Sequence, residues 1–196
     1  SSESSLVNGK KYSISTKEDL IKLAEFSKSW NYYGSNRSNI VWVLTNDIDM
    51  SGVTDFTGVE YLFGTFSGNG HVIKNLTIND NSTYVGLFKT SKGTIQDLGL
   101  ENANVTRGED STTYITSVGV LVGRNEGNIQ NCYANNSTVT AGNGVDYAGG
   151  LVGFSEGSSK ITYSWTNVQV NCASTKAGGF VGAIQGDSST DNPIVS

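Results

Sequence analysis

The sequence predicts an all-β protein, a parallel β-solenoid in the form of a right-handed β-helix, with about five to six coils and an N-terminal capping α-helix. Three observations support this. Similar segments recur along the chain, the 196 residues include 24 Gly but one Pro, and a helical pattern of apolar residues occurs near the N-terminus.

The repeats begin with two segments that are nearly the same, KGTIQDLGLENANVT at 92–106 and EGNIQNCYANNSTVT at 126–140. Related segments precede or follow them: VGLFKTSKG at 85–93, GVLVGRNEG at 119–127, GGLVGFSEG at 149–157 and GGFVGAIQG at 178–186. GTFSGNGHVIKNLTI at 64–78 is interpreted as an earlier, divergent copy. A unit of this size cannot bury its apolar face alone, but stacked units form one core.

The apolar positions of these units predict two buried columns, one side chain per coil. One column contains Phe66, Phe88, Val122, Val152 and Val181, and the other contains Ile73, Ile95, Ile129 and Ile161. The residue numbers of the first column increase by 22, 34, 30 and 29 from one member to the next. These steps are shorter than the roughly 40 residues that a β-propeller blade requires. The propeller is therefore the rejected alternative.

The composition favours strands over helices within each unit. Val, Ile, Thr and Asn fill the segments, and Gly or Asn interrupts them every few residues. Apolar residues alternate in Leu76-Thr77-Ile78 and Leu98-Gly99-Leu100, which is the period of a half-buried strand. We expect about three short strands per unit.

The N-terminal segment has a different period. Ser15-Thr16-Lys17-Glu18 is interpreted as a capping box with Ser15 as N-cap and Glu18 as its partner. Apolar residues at helical spacing follow, which predicts a helix over about 16–29. We expect this helix to cover the first coil, because an open solenoid end invites aggregation.

The domain organisation predicted from these patterns is a linker at 1–10, one β-helix domain over 11–193 and a tail at 194–196. Stacked repeats occupy 41–186 within the domain. SSESS at the start resembles a linker left by processing or cloning. The array is expected to stop within a repeat near Asp191-Asn192-Pro193, as in a fragment of a longer protein.

Two polar columns are predicted at the turns. Asn75, Asp97 and Asn131 precede matched apolar positions, and we interpret them as a structural ladder with left-handed backbone, the alternative being a polar binding row. The second column contains Lys92, Glu126, Glu156 and Gln185. We expect a solvated turn there, in which Lys92 offsets part of the repulsion between the glutamates. A cation site is the alternative.

GGLVGFSEG and GVLVGRNEGNIQNCYA resemble the GLUG motif, a Gly-Leu-aliphatic-Gly repeat of bacterial surface proteins. The segments YSISTKEDLIKLAEF, VLTNDIDMSG and FGTFSGNGHVIKNLTI are similar to the leader of GLUG arrays. The resemblance covers roughly 11–186. It departs from the motif at Gly64-Thr65-Phe66-Ser67 and at Lys89, which replaces a Gly. The resemblance implies adhesin-like proteins, or the N-terminal regions of proteins like IgA-specific metallopeptidases, and therefore export.

Catalytic motifs are scarce. With one His the sequence has no HExxH motif and no zinc cluster, and His71 fits a turn better than a triad. Cys132 and Cys172 are expected as two buried thiols and not as a disulfide. Asp47 and Asp49 are the carboxylates with the best claim to polysaccharide cleavage, although turn formation is the simpler explanation of both. We expect no enzyme activity, no cofactor and no metal site.

Charge and hydropathy exclude two classes of partner. The net charge of −5 and the lack of a basic cluster argue against nucleic acid. No apolar run approaches about 18 residues, so we expect no membrane insertion. We expect a monomer.

The predicted function is a non-catalytic adhesive or display module of a secreted or cell-surface bacterial protein. Alternatives are a substrate-positioning accessory domain of a secreted metallopeptidase and, less favoured, a β-helical polysaccharide-degrading enzyme. The candidate binding residues are Tyr133 and Trp165, which strand alternation places side by side on the outer surface, in one row with Thr77 and Gly99. Expected partners are a host glycoprotein, a glycan or another surface protein. Trp30, Tyr32 and Tyr33, after the helix, are the second choice.

Overall fold

The computed structural model describes residues 6–33, 37–173, 176–186 and 194–196. They form a parallel β-solenoid of about six turns with an N-terminal α-helix, so both predictions are confirmed. The first half of the predicted linker, residues 1–5, and the predicted end of the array, residues 187–193, lie outside the described residues.

The elements run in five groups along the chain. The first group contains β1 (Lys11–Ile14), α1 (Lys17–Ser27), β2 (Val41–Leu44), β3 (Ile48–Asp49) and β4 (Val59–Leu62). The second contains β5 (Thr65–Ser67), β6 (Val72–Lys74), β7 (Thr77–Asp80), β8 (Tyr84–Val85) and β9 (Phe88–Ser91). The third contains β10 (Thr94–Gln96), β11 (Gly99–Glu101), β12 (Asn104–Arg107), β13 (Ser117–Gly119) and β14 (Val122–Asn125). The fourth contains β15 (Asn128–Gln130), β16 (Tyr133–Ala141), β17 (Tyr147–Gly149) and β18 (Val152–Glu156). The last contains β19 (Lys160–Thr162), β20 (Trp165–Cys172), β21 (Lys176–Gly178), β22 (Val181–Gln185) and β23 (Ile194–Val195).

Stacking of these groups produces four parallel sheets around one core. The first sheet has the order β1-β2-β5-β10-β15-β19-β23, and the second has β3-β6-β11-β16-β12-β7 with β20 paired to β16. The third is β21-β17-β13-β8 and the fourth is β22-β18-β14-β9-β4. A full coil such as 94–125 has five strands, where the sequence predicted about three. The extra breaks occur where Asp97 and Asn102 adopt positive φ angles of 55°, which ends each strand.

The predicted core columns are confirmed in the later coils. Phe88, Val122, Val152 and Val181 are in register, and so are Ile95, Ile129 and Ile161. All of these side chains except Val181 are at least 99% buried. They belong to a single hydrophobic core that runs along the solenoid axis.

The predicted register of the first repeat is wrong. Phe66 pairs with Ile95 and not with Phe88, and Ile73 pairs with Leu100 and not with Ile95. The residue in register with Phe88 is Val59, so this column begins at Val59 and not at Phe66.

A longer turn explains the wrong register. Four residues, 68–71, separate β5 from β6, whereas two residues, 97–98, separate the matching strands β10 and β11. The apolar spacing in 64–78 therefore matches a later part of the repeat by coincidence. Thr77 consequently pairs with Asn104 and lies outside the outer row of Gly99, which contains Val72 instead.

The N-terminal helix is capped one residue later than predicted. Thr16 is the N-cap, its hydroxyl accepts a hydrogen bond from the Asp19 backbone, and the Asp19 carboxylate accepts one from the Thr16 backbone. Ser15, the predicted cap, instead pairs its hydroxyl with that of Thr45 at 2.6 Å. The helix spans Lys17–Ser27, shorter than the predicted 16–29, and buries Leu20, Leu23 and Ala24 in the core.

The predicted polar ladder is present, but its members are divided between two neighbouring columns. Asn131 Nδ2 donates to Asp97 Oδ1 at 2.9 Å, as predicted. Asn75 belongs to the next column, in which Asn136 Nδ2 donates to Asn102 Oδ1 at 2.6 Å. All of these residues have positive φ, which Asn and Asp tolerate at turns, and their side-chain hydrogen bonds connect successive coils.

The two cysteines have different environments. Cys132 is buried in the core, where burial raises the pKa of its thiol to about 12. Cys172 lies at the end of β20 in register with Ala141 and is exposed, so the expectation of two buried thiols is wrong for this residue. No disulfide joins them.

Candidate functional site

The predicted binding residues Tyr133 and Trp165 are in register on adjacent strands of the second sheet. Their row on the outer face continues through Gly99 and Val72. The Tyr133 ring leans over Gly99, because a Cβ on that glycine would lie within 2.6 Å of the tyrosine ring. Gly99 therefore provides the space that the ring occupies.

The two rings are stacked and do not form a flat surface. Their centroids are 4.7 Å apart and their planes differ by 4°, so each ring covers a face of the other. Trp165 is 50% exposed. Strand β20 has no further strand beside it among the described residues. Tyr133 lies between Gly99 and Trp165, so Trp165 is the more exposed ring of the pair. We call this pair the aromatic stack.

A row of polar side chains runs beside the aromatic stack. Lys74, Glu101, Asn135 and Asn167 are in register on the same outer face. Asn135 Nδ2 donates to Glu101 Oε2 at 3.1 Å, and Asn167 Nδ2 donates to Asn135 Oδ1 at 3.1 Å. Partial burial and a hydrogen bond to Glu101 raise the pKa of Tyr133, so its hydroxyl stays protonated at neutral pH. The row offers amide groups of fixed orientation next to an exposed indole.

A concave feature follows from the paired glycines of the repeats. Each repeat passes from the third to the fourth sheet between two glycines, as at Gly119 and Gly123 or Gly149 and Gly153. A Cβ on Gly153 would lie 2.7 Å from the Val118 nitrogen of the preceding coil, and one on Gly123 would lie 2.6 Å from the Val85 nitrogen. Only glycine permits this approach. The chain therefore folds sharply inward and forms a crease along the outside of the solenoid.

Lys89 replaces the second glycine of the motif, and the topology explains why it is tolerated. It occupies the position of Gly123, whose Cβ would meet β8 of the preceding coil. Strand β8 is the first strand of the third sheet in chain order, so no strand precedes it at the matching place beside Lys89. The steric restriction on the later coils is therefore absent in this coil.

Two outer rows face each other across the crease. The third sheet contributes Tyr84, Ser117, Tyr147 and Lys176, and the fourth contributes Tyr61, Thr90, Arg124, Phe154 and Ala183. Tyr147 stacks on Phe154 with centroids 5.3 Å apart and closes the crease there. Ser117 is small, and its hydroxyl donates to the Gly123 carbonyl at 2.7 Å. The crease is open beside Tyr84, Thr90 and Arg124, which line a cavity.

The open part is a cavity of about 550 Å³ that we call the crease pocket. Its lining includes Tyr32, Glu60, Tyr84, Lys89, Tyr114 and Arg124. They come from the loop after α1, from β4, β8, β9 and β14, and from the loop before β13. The pocket is therefore built from several coils at once.

The cations of the crease pocket are neutralised by neighbouring carboxylates. Lys89 Nζ lies 2.8 Å from Glu60 and 3.1 Å from Asp80, and its side chain is 9% exposed. Burial opposes the charge on Lys89, but these hydrogen bonds and charges outweigh it and raise the pKa. Lys89 is consequently charged at neutral pH.

Arg124 joins the two glutamates of the predicted turn column. Its Nη2 contacts Oε1 of both Glu126 and Glu156, and its Nε donates to Glu156 Oε1 at 2.6 Å. The glutamate side chains are 17% and 20% exposed, so the expected solvated turn is wrong for them. Burial raises the pKa of Glu156 despite Arg124. Lys92 lies instead over the Tyr32 ring, with Nζ 3.7 Å from its centroid.

The carboxylates suggested for polysaccharide cleavage lie at turns. Asp47 accepts hydrogen bonds from the Val72 backbone and from His71 Nδ1, which lower its pKa. Asp49 accepts from Ser51 and Asn75, which lower its pKa to about 2. Both are ionised at neutral pH, so neither has the raised pKa of a general acid.

Trp30, Tyr32 and Tyr33, the second choice of binding residues, lie in different environments. Trp30 is 6% exposed and stacks on Trp42 in the core, whereas Tyr33 is 82% exposed. Tyr32 lines the crease pocket and donates to Glu126 Oε1 at 2.6 Å, which raises its pKa to about 12. Sequence reasoning otherwise missed the crease pocket. Its signal is the recurring pair of nearby glycines, which was interpreted as a repeat marker and not as a concave surface.

Two negative findings concern the residues that the structure describes. No helix there is long and apolar enough to cross a membrane. No group of three or more His, Cys, Asp or Glu side chains there is arranged to hold a metal ion.

The fold and the crease glycines define a repeat protein of the parallel β-solenoid class. The model of the GLUG motif family matches residues 115–140, and the chain carries that motif there. Halomucin of Haloquadratum walsbyi (strain DSM 16790) is 32% identical over 176 residues, which cover 88% of this chain and 2% of Halomucin. A solved structure from Bacteroides ovatus, provisionally named an immunoglobulin A1 protease, matches with a TM-score of 0.53 and 18% identity. That match covers 95% of this chain and 84% of the Bacteroides chain, and it indicates a shared fold.

Proposed function

We propose that this chain is a non-catalytic adhesive or display module of a secreted or cell-surface bacterial protein, and that the aromatic stack binds glycan. The GLUG motif and the similarity to Halomucin, a protein named as a mucin, support an extracellular surface role. The exposed indole of Trp165, stacked on Tyr133, is the observation that supports this site.

The chemistry of the aromatic stack fits a sugar ring. A pyranose presents an apolar face that packs on an indole, and its hydroxyls need donors and acceptors beside that face. Asn135, Asn167 and Glu101 provide both within the adjacent row. Tyr133 holds the Trp165 ring in place from behind, so little side-chain entropy is lost on binding.

A glycan array with the intact chain tests this proposal. We expect the wild type to bind a subset of glycans and the Tyr133→Ser/Trp165→Ser double variant to lose that binding. Tyr163→Ser is the matched control, because Tyr163 is 77% exposed and lies close to Trp165 in the chain. Equal binding by the folded double variant would contradict the proposed site.

An accessory domain that positions a secreted metallopeptidase on its substrate is the second candidate. The fold shared with the Bacteroides protein supports it. A zinc-binding HExxH sequence elsewhere in the full-length polypeptide, with cleavage that slows when this module is deleted, would favour this role. Without such a sequence the display module is preferred.

Polysaccharide cleavage is the third candidate and has the weakest support. A glycosidase requires two carboxyl groups about 5 Å or more apart on either side of the scissile bond. Glu126 and Glu156 lie near a groove, but both hold the same guanidinium through their Oε1 atoms. This arrangement neutralises a like-charged pair on stacked coils and leaves no space for a sugar between them.

A further inference from the structure

We propose that the crease pocket is a second binding site, separate from the aromatic stack, and that it binds an uncharged sugar ring. The relevant residues are Tyr32, Tyr84, Tyr114, Lys89 and Arg124.

The size of the pocket suits a small ligand. Its volume of about 550 Å³ lies within the range of roughly 300–1,000 Å³ that small-molecule sites occupy. The fixed walls come from strands of three coils, β4, β9 and β14, and from Tyr84 on β8. Tyr114, which is 72% exposed, lies in the loop that borders the pocket. A ligand would enter a preformed site next to one exposed aromatic side chain.

The charges in and around the pocket exclude ionic ligands. Lys89 Nζ donates to Glu60 at 2.8 Å and to Ser82 at 3.1 Å, and it forms an ion pair with Asp80 at 3.1 Å. Arg124 is shared by Glu126 and Glu156. An anion would therefore meet more carboxylates than cations. A cationic ligand would compete with Arg124, whose guanidinium carbon already lies 5.5 Å and 5.3 Å from the centroids of the Tyr32 and Tyr84 rings.

The remaining groups match the surface of a sugar. Tyrosine rings provide flat apolar contact, and Ser82, Thr83 and Thr90 add hydroxyls to the lining. Hydroxyls both donate and accept, which is the pattern that an uncharged polyol requires. The pocket lies between the third and fourth sheets, whereas the aromatic stack lies on the second. The two sites can therefore be tested independently.

Saturation-transfer NMR on the intact chain tests the proposal with defined probes. The uncharged sugars are maltotriose, N,N′,N″-triacetylchitotriose and lacto-N-tetraose, the charged sugar is sialyllactose, and the last probe is an unglycosylated Ser/Thr-rich peptide. We expect at least one uncharged sugar to bind the wild type. Tyr114→Ser should weaken that binding about tenfold, a loss of roughly 1.4 kcal/mol. Tyr84→Ala should weaken it further, and circular dichroism would establish that each variant is folded.

Two controls separate this site from the aromatic stack. Tyr163→Ser removes an equally exposed tyrosine elsewhere, and Trp165→Ser removes the aromatic stack. Both should bind the same sugar with wild-type affinity. The proposal is overturned if no uncharged sugar binds, if Tyr114→Ser binds as the wild type does, or if sialyllactose or the peptide is preferred. Loss of binding in Trp165→Ser alone would instead assign the sugar to the aromatic stack.

Discussion

At the scale of single residues, Ile129 shows how one side chain reports the register of the repeats. It is 1% exposed and lies between Ile95 and Ile161 in its column. Ile129→Ala would leave a cavity in a core that is continuous along the axis, so we expect a loss of about 2–5 kcal/mol in the free energy of unfolding.

Chemical denaturation measures this loss. Asn128→Ala is the matched control, since Asn128 is the exposed neighbour on the same strand and should change stability by less than about 0.5 kcal/mol. A similarly small effect for Ile129→Ala would contradict the observed register.

The sequence predicted which positions are buried better than it predicted the contacts between surface side chains. Buried positions require an apolar side chain in every coil, so Phe88, Val122 and Val152 could be identified from their recurrence in each unit. The stacking of Tyr133 on Trp165 depends on the side-chain angles and on the space over Gly99, which no linear pattern encodes. The partners of Arg124 come from positions 2 and 32 residues away, so only the folded coil brings them together.

At the scale of elements, the N-terminus of α1 allows a direct comparison of two adjacent hydroxyl residues. Thr16→Ala should lower the free energy of unfolding by about 0.5–2 kcal/mol, because it removes the acceptor for the Asp19 backbone N–H. Ser15→Ala removes a surface hydroxyl pair and should cost less. Thermal unfolding shows which variant loses more stability. A larger loss for Ser15→Ala would place the N-cap at Ser15, as the sequence predicted.

The crease offers a second matched pair of substitutions. A Cβ at Gly153 would lie 2.7 Å from the Val118 nitrogen and 2.9 Å from the Gly123 carbonyl, both of them backbone atoms that cannot move away easily. We therefore expect Gly153→Ala to destabilise the protein by at least about 1–3 kcal/mol, the usual range for overpacking.

Gly179→Ala is the control, since a Cβ at Gly179 meets no described atom within 4 Å and its φ is not in the left-handed region. It should be neutral or slightly stabilising. Equal stability of the two variants in denaturant titrations would disprove the steric explanation of the motif.

The elements also show where the sequence was ambiguous. The turn between β5 and β6 is longer than its counterpart between β10 and β11, and such insertions leave the spacing of apolar residues plausible in two registers. Backbone pairing decides between them, because the buried side of every later strand depends on it. The helix boundary was displaced for a similar reason: two neighbouring hydroxyl residues each have an acidic residue three positions later.

At the scale of the whole molecule, the fold class could be predicted because it depends on repetition. The recurrence of Gly, Val and Ile from one unit to the next requires stacking, whichever exact register is chosen. The function is less determined, since one continuous scaffold presents the aromatic stack and the crease pocket on different sheets. This chain corresponds to 2% of Halomucin, so the activity of any complete parent protein is a separate question.

The parallel pairing of successive coils limits how far the solenoid extends for a given number of residues. Adjacent strands are about 4.8 Å apart, so one coil advances the molecule by that distance. The whole segment from Val122 to Val152 is used for one such advance. An extended strand of the same length, roughly 30 residues, would span about 100 Å. A protein that needed only distance from its cell would gain little from this architecture. Each added coil chiefly adds a strip of rigid lateral surface, on which ligand-contacting side chains can change from strip to strip while the glycines and core residues stay constant.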